Sequence, residues 1–330
     1  MRVTNRMMAN NYLRDMNRNM KNLDTINNQL ATGKEINKVS DDPFKAARSM
    51  QLTTDINTNE QYNTNIKDTI NWLDTTDDAL YQATNVMQRL RELMVSSGNA
   101  AYGSDESKSI NEEIKERVSE LTQVLNTNFD GKYIFGGTKV SSKPLDAKKD
   151  AVTGNYEMMF VDQDGNKLDP NSSDTYTQNK IDNINGSLNV EISQSVTMKC
   201  NVNAMEILKF KNENGESIDV MKLLSDVQNN LSSENSVDRS KVTNENLGVL
   251  DDVITNILKI RSEVGAKQNR MESAQSKNED ENLNMTTILS KTEDIDFTEK
   301  TIEFNMAQTT YTAALQVNAQ VLPKTILDYL

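Results

Sequence analysis

The four prolines of this chain, Pro43, Pro144, Pro170 and Pro323, leave residues 44–143 and 171–322 without one. A proline inside a helix costs roughly 3 kcal/mol, so both spans permit helices far longer than those of an ordinary globular domain. Apolar spacing then says where the helices run. Leu13, Met16, Met20, Leu23 and Leu30 are 3, 4, 3 and 7 apart, a heptad-like seam whose missing step is Asn27, with Ile26 beside it. This predicts a helix over about 4–32, closed by Gly33. Ser40-Asp41-Asp42-Pro43 predicts the next start, with Asp42 as the cap and proline at the first turn. Ile66, Ile70, Leu73, Leu80, Ala83, Met87, Leu90 and Met94 keep one face apolar. A helix from Phe44 to about Ser97 is about 80 Å long at ~1.5 Å per residue.

After a turn at Gly98–Gly103, a third helix capped by Ser104 or Asp105 carries Ile110, Ile114, Val118, Leu121 and Leu125 to about Asn128. The period then changes. Asp130-Gly131 is a tight-turn pair, followed by the strand-favouring Tyr133-Ile134-Phe135. Tyr156–Val161, the alternation Leu188, Val190, Ile192, and the alternation Val196, Met198, Cys200 read as strands, with a turn at Asp164-Gly165. Helix returns at about Ile218–Leu231 and again at about Glu245–Lys291. Ile288, Ile295 and Ile302 follow at steps of seven, then Met306 and Ala313.

The two halves mirror each other. The expected fold is mainly α: an elongated antiparallel helical rod formed by both chain ends, with a small β-rich inserted domain. Residues 1–40 and 290–330 form a terminal coiled-coil assembly domain. Residues 41–138 and 217–289 form a long-helix rod domain with a β-hairpin near 129–137, and 139–216 is the β-rich outer insertion. The first 40 residues carry a balance of +4 and the last 41 a balance of -3, which favours pairing of the ends over self-pairing. Neither end buries its stripe alone, so ordering on assembly is expected.

Composition excludes much chemistry. There is no histidine, and Cys200 is the only cysteine. The chain therefore has no imidazole base, no Ser-His or Cys-His pair, no internal disulfide and no thiolate metal cluster. A net charge of -13 argues against a nucleic-acid partner, and no apolar run is long enough to insert in a membrane. Arg2 and Arg6 precede no apolar segment, so no cleavable signal is expected. Asp162-Gln163-Asp164-Gly165-Asn166 lacks the spacing of an EF-hand loop, with Gly165 fourth and Ser173 twelfth, and reads as a hairpin turn. Acidic neighbours such as Asp77-Asp78 and Asp251-Asp252 point apart on a helix. No catalytic, cofactor or metal residue emerges, and Cys200 reads as a small buried side chain. Two other classes fit the sequence less well, an enzyme or binding module carried by the insertion and a signalling coiled coil. The first lacks convergent polar groups, and the second leaves the hairpin and the β-rich middle without a role.

Several segments together resemble one family. Leu30-Ala31-Thr32-Gly33-Lys34-Glu35-Ile36-Asn37 with Ser40-Asp41-Asp42-Pro43, and Gln88-Arg89-Leu90-Arg91-Glu92-Leu93, resemble the N-terminal part of flagellin-like proteins. Asn128-Phe129-Asp130-Gly131-Lys132-Tyr133-Ile134-Phe135-Gly136-Gly137 is similar to their hairpin. Arg261, Gly265-Ala266 and Asn269-Arg270-Met271 are similar to their C-terminal helix. The likeness covers about 1–140 and 240–330. Gly33-Lys34 before Asp41-Asp42-Pro43, the start Met1-Arg2-Val3-Thr4 with Met7-Met8, and the ending Leu327-Asp328-Tyr329-Leu330 resemble the members that join hook to filament. Gln320-Val321-Leu322-Pro323 is closer to flagellin, the filament subunit, which stays open as the alternative.

The resemblance implies a non-enzymatic structural protein without cofactor, outside the cell in the bacterial flagellum and exported unfolded by the type III apparatus. It implies a homo-oligomeric ring or tubular tier between a hook-side junction protein and flagellin or the filament cap. A cytoplasmic export chaperone is implied before export. The assembly seam is expected at Leu13, Met16, Met20, Leu23, Leu30, Ile288, Ile295, Ile302 and Met306. Rod packing is expected at Gln88, Arg89, Arg91, Glu92, Leu93, Gly265, Asn269 and Arg270, with a close helix crossing at Gly265.

Overall fold

A computed structural model of the chain describes residues 5–98, 104–150, 154–170, 172, 174–212, 214–233 and 235–321. The expected turn residues 99–103, the start Met1–Thr4 and the ending Leu327–Leu330 lie outside the described residues. So do Pro323 and the Leu322 beside it. Two compact units divide the chain: Met1–Glu60 with Glu279–Leu330, and Gln61–Asn278. Helices α2 (Pro43–Ser97) and α8 (Leu247–Glu293) each contribute to both.

The terminal unit is built on α1 (Asn5–Thr32) and α9 (Phe297–Val321), which lie antiparallel. The Tyr12 hydroxyl donates to the Ala314 carbonyl at 2.9 Å, and the Ile295 amide donates to the Gly33 carbonyl at 3.1 Å. The less exposed positions of α1 include Tyr12, Met16, Asn19, Leu23, Ile26 and Leu30, a regular 4-3-4-3-4 seam, together with Ala9 one step before it and Gln29 beside Leu30. Those of α9 include Phe304, Ala307, Tyr311 and Ala314. Of the residues expected in the seam, Met16, Leu23 and Leu30 face inward. Leu13 and Met20 are more than half exposed, and the missing step is filled by Ile26 rather than Asn27. The step Ile288–Ile295–Ile302 is also broken within the chain. Helix α8 ends at Glu293, and Asp296 starts α9 by accepting the Thr298 and Glu299 amides at 2.8 and 3.2 Å. Ile295 falls in the break, while Ile288, Ile302 and Met306 face solvent.

The second unit packs the remaining parts of α2 and α8 with α3 (Ser104–Leu125) and α6 (Val220–Ser232). Ile66, Leu73, Leu80, Met87 and Leu90 on α2 meet Leu250, Ile257 and Val264 on α8 in one cluster that includes Ile114, Val118 and Leu121 of α3. The hairpin β1 (Asn128–Phe129) and β2 (Lys132–Tyr133) turns at Asp130 (φ 50°) and Gly131 (φ 74°), the left-handed pair that a two-residue type I′ turn demands. A three-stranded antiparallel sheet follows, β3 (Leu145–Lys149), β4 (Tyr156–Val161) and β5 (Lys167–Leu168), with β4 central. Met158 to Val161 are buried in succession, so both faces of β4 are covered.

The sequence reading gives no helix between Val161 and Leu188, but α4 (Thr175–Ile184) lies there. Asp174 caps it, accepting the Thr177 amide at 3.2 Å, and Ile181 and Ile184 are its buried residues. The hairpin β6 (Asn189–Ser193) and β7 (Val196–Lys199) and a short α5 (Ala204–Leu208) come next. Ile218 belongs to the hairpin β8 (Lys209–Lys211) and β9 (Ser217–Asp219), not to the helix; α6 starts where Asp219 accepts the Met221 and Lys222 amides. A short α7 (Ser236–Lys241) and a π-turn (Val242–Asn246) lead into α8. The insertion thus shares one core with the helices: Phe160, Ile184, Ile192, Met198 and Leu208 belong to the same cluster as Leu80 and Ile257.

Candidate assembly surface

The exposed large apolar residues are unevenly placed. Among the described residues, fourteen of twenty belong to the terminal unit, although it holds only about a third of the chain. Single exposed apolar residues are ordinary, whereas rows of them mark contact surfaces. On α9 the outward row is Ile302, Met306, Thr309, Ala313 and Val317, at helical spacing. It lines an open groove without a charged side chain. Helix α9 therefore carries apolar residues on two sides, one spent on α1 and one facing out. On α1 the outward face sets Leu13 among Asn10, Arg14, Asn17, Arg18 and Lys21.

The two breaks, α1 to α2 and α8 to α9, are stitched together. Lys34 and Asp294 form an antiparallel β-bridge. The Glu35 amide donates to the Glu293 carbonyl at 2.5 Å, Lys34 Nζ lies 2.6 Å from Glu293 Oε2, and the Ser49 hydroxyl donates to the other Glu293 oxygen. Lys45 pairs with Glu35 at 2.8 Å, and its ammonium is held above the usual range, chiefly by that hydrogen bond. The signature residues have distinct tasks. Asp41 accepts the Asn37 and Lys38 amides and folds the loop. Asp42 accepts the Phe44 and Lys45 amides at 3.0 and 3.1 Å and caps α2, and Pro43 needs no partner at that turn.

In the second unit two of the arginines named for rod packing, Arg89 and Arg91, reach acidic side chains on other helices. Arg91 reaches Asp251 of α8 at 2.6 Å. Arg89 reaches Glu113 of α3 and Glu92 of its own helix, each at 2.9 Å. Arg261 forks onto Asp77 at 2.9 and 3.1 Å, with its guanidinium 5.2 Å from the centre of the Tyr81 ring. No local pattern in the sequence marks this forked pair, because Asp77 sits 184 positions away. Leu93 is core, while Gln88, Asn269 and Arg270 are exposed.

Gly265 corrects an expectation. A Cβ added there meets nothing within 4 Å, so no close crossing occurs at Gly265 among the described residues. Gly265→Ala is therefore expected to raise the stability of the second unit by up to about 1 kcal/mol, read by chemical denaturation with Trp72 fluorescence. A loss of stability in that variant would mean that the space is not open.

Other polar residues of the second unit are structural. Lys139 is buried and donates to the Val161 carbonyl at 2.6 Å, and burial pushes its ammonium below the usual lysine range. Asp162 accepts the Asp164 and Asn166 amides in the expected hairpin turn, and its bonds to Asn166 hold its carboxyl below the usual range. Cys200 is buried, donates to the Leu188 carbonyl at 3.3 Å, and burial raises its thiol. No described group of three or more acidic or cysteine side chains is placed to hold a metal ion.

Two family models match this chain, the bacterial flagellin N-terminal helical region over residues 3–140 and the bacterial flagellin C-terminal helical region over residues 247–330. The chain belongs to the flagellin family. The flagellin of Bacillus subtilis (strain 168) is 25% identical over 338 residues, covering 100% of both chains. Flagellar hook-associated protein 3 of Escherichia coli (strain K12) is 24% identical over 325 residues, covering 95% of each. A Clostridium tyrobutyricum flagellin is 31% identical over 147 residues, 44% of this chain and only 38% of that protein. Among solved structures, flagellar hook associated protein-3 of Legionella pneumophila superposes with a TM-score of 0.57 at 16% identity, covering 73% of this chain and 98% of that one. Xanthomonas campestris FlgL gives 0.55 at 14% identity, covering 71% and 98%. These flagellin-family structures share the fold of this chain. The segment between the two matched regions, 141–246, holds the β3–β5 sheet and the β6–β7 hairpin.

Proposed function

We propose that this chain is a structural subunit of the bacterial flagellum that joins the hook to the filament by helical packing with neighbouring subunits. The observation that carries this is the outward apolar row of α9, Ile302, Met306, Ala313 and Val317, on a unit already paired through its other face. A surface of that kind needs a neighbour to leave water. Leu13, Met20 and Ile288 extend the exposed apolar surface of the same unit. They are assigned to contacts between subunits rather than within one, and the open space at Gly265 is assigned the same way. The work done is packing, not catalysis.

The junction assignment is supported by the end-to-end likeness to hook-associated protein 3, and by folds shared with solved hook-associated proteins. Its partners would be copies of itself in one tier, a junction protein on the hook side, flagellin or the cap on the other, and an export chaperone before passage through the type III apparatus. The second reading is the filament subunit, favoured by the equally complete likeness to the Bacillus subtilis flagellin. Immunogold labelling with an antibody to residues 141–216 separates them. Gold at one level between hook and filament is the expected result, and gold along the filament would make the chain a flagellin.

A further inference from the structure

In the second unit the α2–α8 seam changes character at one end. Ile66 and Leu73 of α2 and Val264 and Met271 of α8 are wholly buried. The next seam positions are Asn63 and Asn278, both buried as well, Asn278 at 2% exposure. A buried amide is costly unless it is bonded. Asn278 Nδ2 donates to the carbonyl of Ile192 in β6 at 2.9 Å. From α2, Asn65 Nδ2 donates to the Glu191 carbonyl at 3.3 Å, and the Tyr62 hydroxyl reaches Glu191 Oε1 at 3.4 Å. Side chains of both helices thus converge on two adjacent residues of one strand.

That strand is irregular at the same place. The β6–β7 register runs Asn189 to Lys199, Val190 to Met198 and Glu191 to Thr197, then resumes at Ser193 with Val196. Ile192 is the residue it skips. A bulge takes a residue out of the ladder and re-aims it. Here the freed carbonyl meets Asn278, and the Ile192 side chain is buried in the core. Beyond the bulge, Ser195 sits at φ 63° with its amide held by the Glu191 carboxylate at 3.0 Å, so one residue serves both the tip of the hairpin and the helix beneath it.

We propose that the β6–β7 hairpin is a strap across the α2–α8 pair, holding it at the limit of the second unit, where buried asparagines interrupt its apolar seam. Without the strap the pair opens locally around Tyr62 and Asn278, while the part held by α3 and α6 stays shut. This holds whichever level of the flagellum the subunit occupies.

Hydrogen exchange on the full chain tests it with two variants. Asn278→Leu keeps the seam filled and removes the donor; Tyr62→Phe with Asn65→Ala removes the two half-buried tethers outside the seam. Each is expected to speed exchange about tenfold over 61–69 and 271–278, leaving 80–94 and 250–264 unchanged. Faster exchange confined to 189–199, or no change anywhere, would overturn the proposal by making the hairpin a passenger. If Asn278→Leu loses the folded Trp72 emission altogether, the double variant decides by the same criteria.

Discussion

Ile302→Asp or Met306→Asp leaves the subunit folded and keeps it out of the flagellum. Both side chains are more than half exposed on α9, 56% and 65%, and neither belongs to the inward row of Phe304, Ala307, Tyr311 and Ala314. A surface substitution of this kind shifts stability by no more than about 0.5 kcal/mol. Thermal unfolding is therefore expected to match the parent protein within about 1–2 °C. In the assembled state the same carboxylate would be buried without a partner, which costs about 3–5 kcal/mol. Incorporation should fall by at least about a hundredfold. In a strain lacking the parent gene, secreted protein should collect in the medium while immunogold finds none on the flagella. Normal incorporation of both variants would remove the outward face of α9 from the assembly surface.

Gly137→Ala is expected to damage the second unit from within. Gly137 sits at φ 65°, and a Cβ there would overlap the carbonyl oxygens of Asn183 and Ile184 at the end of α4. The neighbouring Thr138 amide is bonded to the Asn183 carbonyl at 2.8 Å, and the Phe135 carbonyl accepts the Ala204 amide at 3.0 Å. The Phe135–Thr138 stretch is thus clamped on both sides and cannot retreat from an added methyl. The left-handed backbone and the overlap together cost about 2–5 kcal/mol. In a unit of this size that lowers the melting temperature by about 5–15 °C. Trp72 reports it, because its ring meets the Phe129 ring edge-on at 6.2 Å in the same hairpin region. Gly265→Ala, with open space around it, should move the opposite way. A Gly137→Ala protein melting at the parent temperature would show that the clamp is loose.

Local chemistry made much of this fold legible. Asp42 before Pro43, Gly33 after α1 and Asp130-Gly131 in the hairpin act through their own neighbours, so their roles follow from a few residues of sequence. The strands at Tyr156–Val161 and around Val190 and Met198 follow from apolar runs and alternation. The inward faces of the terminal helices were less legible, because α1 carries two stripes. Leu13 and Met20 look outward among polar neighbours, while the stripe that meets α9 holds Met16, Leu23, Ile26 and Leu30 but also Asn19 and Tyr12. A pattern search ranks apolarity, not the order in which faces find partners, and an assembling subunit keeps some apolar residues for later. The step from Ile288 to Ile302 failed for another reason. The break at Asp294–Asp296 is held by Lys34 and Gly33, more than 250 positions away. Helix α4 was hidden by its polar sequence; its signals were the Asp174 cap and the Ile181–Ile184 pair. The Asn278–Ile192 bond was not legible at all, since a bulge leaves no mark in hydropathy.

The bridge between Lys34 and Asp294 has a mechanical meaning. Two side-by-side helices joined only by side chains slip when sheared, because rotamers yield before backbones do. Here the ends of α1 and α9 are riveted at one level by main-chain bonds, Glu35 to Glu293 and Ile295 to Gly33. A torque on the pair has to break those bonds before one helix slides on the other. Within the terminal unit the two chain connections are thereby pinned to each other at one level, as a key fixes a shaft to its coupling.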